Sequence, residues 1–156
     1  YPRRVDGPRV AADIRHEVYP SAKDALDSCE IDWVADDIKI MLCGPAPWRP
    51  ESRYRCDITD EVYGTGYQSG GIPLTGRTVT ADAVGTPIYI ADNVAWPRTT
   101  VSFRRAIVYR DTGDPATSPL ITCIRLPYAI ETIRGIASIT WSAGEVVRGD
   151  RSRVTA

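Results

Sequence analysis

One stretch constrains the fold more than any other: Asp57-Ile58-Thr59-Asp60-Glu61-Val62-Tyr63-Gly64-Thr65-Gly66-Tyr67-Gln68-Ser69-Gly70-Gly71. Four glycines so close together cannot sit inside a stable helix or a regular strand. They are instead the residues a chain uses where φ turns positive or where two backbones come very close. The stretch is therefore expected to be a long connection, with Tyr63 and Tyr67 pinning it to the surrounding structure. A phosphate-loop reading fails, because the Lys-Ser/Thr ending and the following helix that such a loop needs are both missing.

Short runs rich in Val, Ile, Thr and Tyr lie on both sides of this connection, at 37–43, 53–58, 77–82, 87–91, 101–109, 120–126 and 135–141. In the first, Ile38, Ile40 and Leu42 alternate with Lys39, Met41 and Cys43, the period of two that a strand imposes. Turn signals separate the runs: Gly44-Pro45-Ala46-Pro47 after the first, Asp111-Thr112-Gly113-Asp114-Pro115 between two later ones. Short strands at such spacing predict an all-β fold, an antiparallel sandwich or barrel. One short helix is expected ahead of them, capped by Ser21, with Ala22, Ala25, Leu26 and Cys29 along one face and Cys29 buried at its end. Residues 1–20 read as an extended N-terminal arm, 21–142 as the β domain, and 143–156 as a basic C-terminal tail.

Length and charge narrow the function. A chain of 156 residues suits one domain with a sizeable core. The balance of 19 Lys+Arg against 20 Asp+Glu sets up no overall field toward nucleic acid or anionic lipid. Basic residues nevertheless gather at the ends, as Arg3, Arg4, Arg9 and Arg15 and as Arg148, Arg151 and Arg153. Lys23 and Lys39 are the only lysines; a cationic complement made of arginine leans toward planar, multidentate contacts with other proteins. No apolar run approaches the ~18 residues of a membrane-spanning helix. The opening residues lack the apolar core of a signal peptide, and the missing Met suggests a processed or truncated start.

No reaction centre emerges. Cys29, Cys43, Cys56 and Cys123 lack the close pairing of zinc or iron–sulfur ligands, and the single histidine, His16, lies in the expected arm. Asp57, Asp60, Glu61, Asp111 and Asp114 could in principle serve sugar hydrolysis or calcium, but turn aspartates usually accept bonds from nearby backbone amides. Trp48 sits in a proline-rich loop, either packed there or anchoring an interface. Arg148-Gly149-Asp150 spells an integrin tripeptide of the kind that recurs by chance. The expectation is a protein without cofactor, metal or catalytic activity.

Collinear motifs carry a resemblance. Ala22-Lys23-Asp24-Ala25-Leu26, Ile31-Asp32-Trp33, the 37–42 run, Asp57 to Tyr67, Leu74-Thr75-Gly76-Arg77-Thr78-Val79, Ala91-Asp92-Asn93-Val94-Ala95-Trp96, Ala106-Ile107-Val108-Tyr109-Arg110-Asp111-Thr112-Gly113 and Ala116-Thr117-Ser118-Pro119-Leu120-Ile121 resemble, in order, a family of tailed-bacteriophage virion structural proteins. That resemblance covers about residues 22 to 141 and implies a non-enzymatic β-rich part of the head or tail. The segment before Ser21 and the four cysteines depart from the family's pattern, and both suit a protein that staples itself to its neighbours. The leading expectation is a capsid decoration protein, a homo-oligomer made in the host cytoplasm and bound to the major capsid protein on the outer surface of the virion. Its expected interface residues are Arg3, Arg4, Arg9, Arg15, Trp48, Tyr67, Arg148 and Arg151, and Cys29 or Cys56 is expected to pair between subunits. Neither nucleic acid nor membrane is expected as a partner. A tail or head–tail junction role is one alternative. A carbohydrate-binding adsorption module, using Asp57, Asp60 or Asp111 with Trp48 or Trp96, is another.

Overall fold

Two strands far longer than the sequence suggests carry the architecture. The computed structural model describes residues 15–148, and in it β6 (Val94–Arg110) and β7 (Leu120–Ile139) form one long antiparallel hairpin. The remaining elements are β1 (Arg15–Val18), α1 (Pro20–Asp27), β2 (Ile38–Cys43), β3 (Ile72–Pro73), β4 (Thr78–Ala81), β5 (Pro87–Ile90) and β8 (Glu145–Arg148), with short 3-10 turns at Arg55–Asp57 and Ser142–Gly144. A five-stranded sheet runs β1-β7-β6-β2-β3 and a three-stranded sheet runs β4-β5-β8, with antiparallel pairing throughout. The all-β, antiparallel reading therefore holds, and the two sheets are consistent with the sandwich of the two forms expected.

The hairpin has two zones, and side-chain pattern separates them. Along 105–109 of β6 and 120–124 of β7 every residue is buried, so both faces of the sheet are covered. Ile38, Ile40, Met41, Leu42, Cys43, Ile107, Val108 and Tyr109 fill this zone at 0–1% exposure. Along 94–103 buried and exposed residues mostly alternate, as they must where one face meets water. Trp33 helps join the layers: its indole N–H donates to the Ile90 carbonyl at 3.0 Å while its ring meets Tyr89 edge-on at 5.7 Å. Trp141 likewise donates to the Asp92 carbonyl at 2.9 Å.

Several expectations are corrected. The runs at 120–126 and 135–141 are parts of one strand region, because Pro127 is accommodated in a bulge whose carbonyls at Leu126 and Pro127 are taken by the Arg104 guanidinium. Arg98 and Arg134 adopt positive φ, 56° and 50°, at further irregularities of the same hairpin. The 53–58 run is a 3-10 turn, with only Tyr54 bridging to Pro119. Strand β1 lies inside the expected arm, and β8 inside the expected tail. The helix starts at Pro20, whose missing N–H costs nothing in the first turn, and its cap is Tyr19 rather than Ser21. Cys29 is exposed just beyond the helix with φ 65°, a place glycine usually takes, and not buried on the apolar stripe.

Candidate functional site

The glycine-rich stretch turns out to finish the edge of the large sheet. Asp60 and Val62 pair along the outer side of β2, Gly44 N–H donating to Asp60 O at 2.8 Å and Val62 N–H to Leu42 O at 3.0 Å. Ile72 and Pro73 then resume the same edge opposite Ile40 and Lys39. Between them residues 63–71 leave the edge and reach past the end of β2, where Thr65 bridges to Thr100 of β6. Glycine is required by contact: a Cβ on Gly64 would overlap the Thr100 carbonyl, one on Gly66 the Arg98 carbonyl, and one on Gly71 the Ile40 carbonyl. Gly66, Gly70 and Gly71 also take positive φ, as expected of a backbone device.

Glu61 and Tyr67 repair the gap this excursion leaves. The Leu42 N–H donates to the Tyr67 hydroxyl at 2.9 Å, and that hydroxyl donates to Glu61 Oε2 at 2.6 Å. Glu61 Oε2 also accepts the Gly70 N–H at 2.6 Å, while Oε1 accepts from Ser69 Oγ at 3.2 Å and Arg55 at 3.3 Å. Tyr109 closes the network by donating to Gly70 O at 2.6 Å beneath the Arg55 guanidinium, 5.5 Å from its ring centre. Burial pushes the Tyr67 hydroxyl well above its ordinary range, with the Glu61 bond adding to the shift, so it remains a donor. Tyr67, expected at an interface, is 9% exposed and internal, whereas Tyr63, expected to pin the loop, is 91% exposed.

The carboxylates are engaged as turn aspartates usually are. Asp57 accepts from the Arg53 and Tyr54 N–H groups at 2.9 and 3.0 Å, which hold its carboxyl below the usual range. Asp60 accepts from Ala46 N–H and pairs with Arg105. Asp111 accepts from Gly113 N–H at 2.9 Å and pairs with Lys39 at 2.7 Å, and the Lys39 bond is the main reason its carboxyl is depressed. Among the described residues no group of three or more His, Cys, Asp or Glu could hold a metal ion. No helix among them is long and apolar enough to cross a membrane.

All four thiols are free. Cys43 and Cys123 are buried in strands, and burial pushes Cys123 up to about 11 and Cys43 higher still. Cys29 and Cys56 are exposed. Trp48 is half-buried with its ring 4.7 Å from Tyr19, a loop-packing role. Trp96, at 2% exposure, offers no platform for a sugar. His16 is not in a free arm: it lies in β1, half-buried, its ring 6.4 Å from Trp141. Arg15 is exposed at the start of β1. Arg148 ends β8, and Arg3, Arg4, Arg9 and Arg151 lie outside the described residues.

Two surfaces escaped the reading of the sequence. Beyond its pairing with β1, which ends at Arg125, β7 has no strand neighbour on its outer side among the described residues over 126–139. That length exposes Tyr128, Ile133 and Ile136 at 45%, 81% and 67%. The signal was present as a run, 126–136, in which apolar residues fail to alternate cleanly. The second surface is an open cavity of about 230 Å³ lined by Pro45, Ala46, Pro47, Arg104, Arg105, Arg125 and Leu126. Its arginines come from two strands paired across the hairpin, a juxtaposition linear spacing does not reveal.

The fold and these surfaces define an all-β two-sheet protein with an arginine-lined cavity and, among the described residues, an open outer edge on β7. No protein-family model, curated protein or solved structure matches the chain.

Proposed function

We propose that this chain is a non-enzymatic structural protein of a tailed-phage virion, a decoration protein that binds the outside of the assembled head and ties neighbouring major capsid subunits together. The reading starts from the collinear sequence motifs, and the structural observation that carries it is the outer edge of β7. Backbone over 126–139 with no strand neighbour on its outer side among the described residues, and Tyr128, Ile133 and Ile136 exposed along it, make a surface that another chain can cover. Tyr63 adds a further exposed aromatic ring. A role at the tail or head–tail junction would call on the same surface, and copy number separates the two. The adsorption-module reading is less well supported, since Trp96 is buried, Trp48 packs on Tyr19 and Asp60 is paired with Arg105.

Quantitative gel staining of purified particles tests the assignment. A decoration protein should approach the major capsid protein in copy number; a few copies per particle would move the chain to the junction or tail. The same particles run without reductant should show a dimer band that Cys29→Ser or Cys56→Ser removes, because these are the exposed thiols. A monomer band alone would sink the covalent link between copies while leaving the shell assignment to the copy number.

A further inference from the structure

Strand register lines up arginines where a sheet normally avoids like charges. Arg15 of β1 pairs opposite Arg125 of β7, and Arg125 opposite Arg105 of β6, so three guanidinium groups share one rung on one face. Like charges placed directly opposite one another destabilise a sheet. Arg104 joins them because the bulge between Phe103 and Arg105 breaks the alternation, and Arg104, Arg105 and Arg125 line the same 230 Å³ cavity.

Among the described residues the local charge is only partly neutralised. Asp60 pairs with Arg105, and Glu17 pairs with Arg125 at 2.8 Å. Arg104 meets only the neutral carbonyls of Leu126 and Pro127, and Arg15 has no acidic partner among the described residues. Among the described residues the three guanidinium groups that line the cavity thus face two carboxylates. The Arg125 Nε–H is also buried without an acceptor among the described residues, a donor whose desolvation they leave uncompensated.

We propose that this cavity is a carboxylate-binding pocket that receives an acidic side chain of a neighbouring protein. Guanidinium groups bind carboxylates through paired N–H bonds in a planar fork. Pro45, Ala46, Pro47 and Leu126 supply apolar wall against which the rest of a peptide can lie. A nucleic-acid strand is disfavoured, because it needs a long basic track with stacked aromatics, whereas here the cations converge on one small cavity in a chain of net charge −1. Within the shell-protein reading, on which the partner's identity rests, the pocket takes an aspartate or glutamate from the capsid surface.

The test is titration of the purified full chain with an acetylated tetraglutamate peptide at low salt, following the arginine Nε–H signals by nuclear magnetic resonance. The Arg104 and Arg125 signals should shift together, and 0.5 M salt should weaken binding at least tenfold. Arg104→Gln, which removes a guanidinium from the cavity wall, should weaken it at least tenfold, and Arg104→Lys, which keeps the charge but loses the planar fork, should weaken it severalfold. If Arg104→Gln fails to fold, Arg104→Lys decides: affinity within twofold of the parent chain overturns the pocket. No shift with peptide also overturns it. Inorganic phosphate or an oligothymidylate that displaces the peptide at lower concentration overturns the carboxylate assignment. Peptide binding without retention on purified heads upholds the pocket and sinks the shell reading. Retention on heads unchanged by Arg104→Lys keeps the shell reading and removes the pocket as its attachment point.

Discussion

Tyr67 does the work of a missing strand residue. Where the edge beside β2 breaks off, its hydroxyl accepts the Leu42 N–H and hands the bond on to Glu61, so a backbone donor is satisfied by a side chain twenty-five positions away. Removing that hydroxyl strands Leu42 N–H and unbalances Glu61. Tyr67→Phe should therefore destabilise by about 2–3 kcal/mol in urea unfolding with an unchanged slope, whereas Tyr63→Phe should stay within about 0.5 kcal/mol. An equal effect at the two tyrosines would contradict the network. At this scale the capping aspartates could be read from local spacing, because their partners sit within a few residues. The roles of the two tyrosines could not, because only the path of the loop decides which ring meets the sheet. Cys29 is similar: its helical spacing points inward, but the helix ends at Asp27 and the chain turns left-handed before the thiol can pack.

At the scale of elements, glycines separate into those held by contact and those needed only for φ. Gly71 combines φ 79° with direct apposition to the Ile40 carbonyl, while Gly113, at φ 90°, has open space around it. Gly113→Ala should cost only the left-handed penalty of about 1–2 kcal/mol. Gly71→Ala should cost more than about 3 kcal/mol or prevent folding, since β3 would have to leave β2. Comparing the two chemical-denaturation midpoints checks this, and similar losses would mean that the edge can shift to make room. The hairpin shows why element lengths were misread. Pro127 and Gly135 look like strand breakers in isolation, yet bulges absorb both, and Arg104 supplies bonds to the carbonyls that the Pro127 bulge displaces.

For the molecule as a whole, pH reports how the layers are joined. His16 is half-buried beside Trp141, and desolvation lowers its affinity for a proton below the ordinary 6.5 despite a bond to the Val146 backbone. The unfolded chain then takes up a proton that the native state refuses. Stability is full above pH 6.5 and falls as pH drops below it, with a limiting slope of about 1.4 kcal/mol per pH unit. Because the chain has one histidine, His16→Gln should flatten this slope between pH 6.5 and 5 in urea titrations. A slope that persists in the variant would place the titrating group elsewhere. Asp57 and Asp111 act in a separate window. Their depressed carboxyls contribute above the ordinary 3.8, and that contribution is lost as pH falls below it.

The all-β class, the approximate positions of most strands, the glycine connection and the capping aspartates were determined by the sequence itself. Each depends on period, on turn chemistry or on partners a few residues away. Tertiary structure decided the single long hairpin, the packing of His16 and Tyr67, the outer edge of β7 left open by the described residues and the meeting of Arg104, Arg105 and Arg125. Those features depend on register between strands distant in the chain: a shift of one residue would send every one of these side chains to the opposite face, and no local pattern specifies which rung an arginine will share.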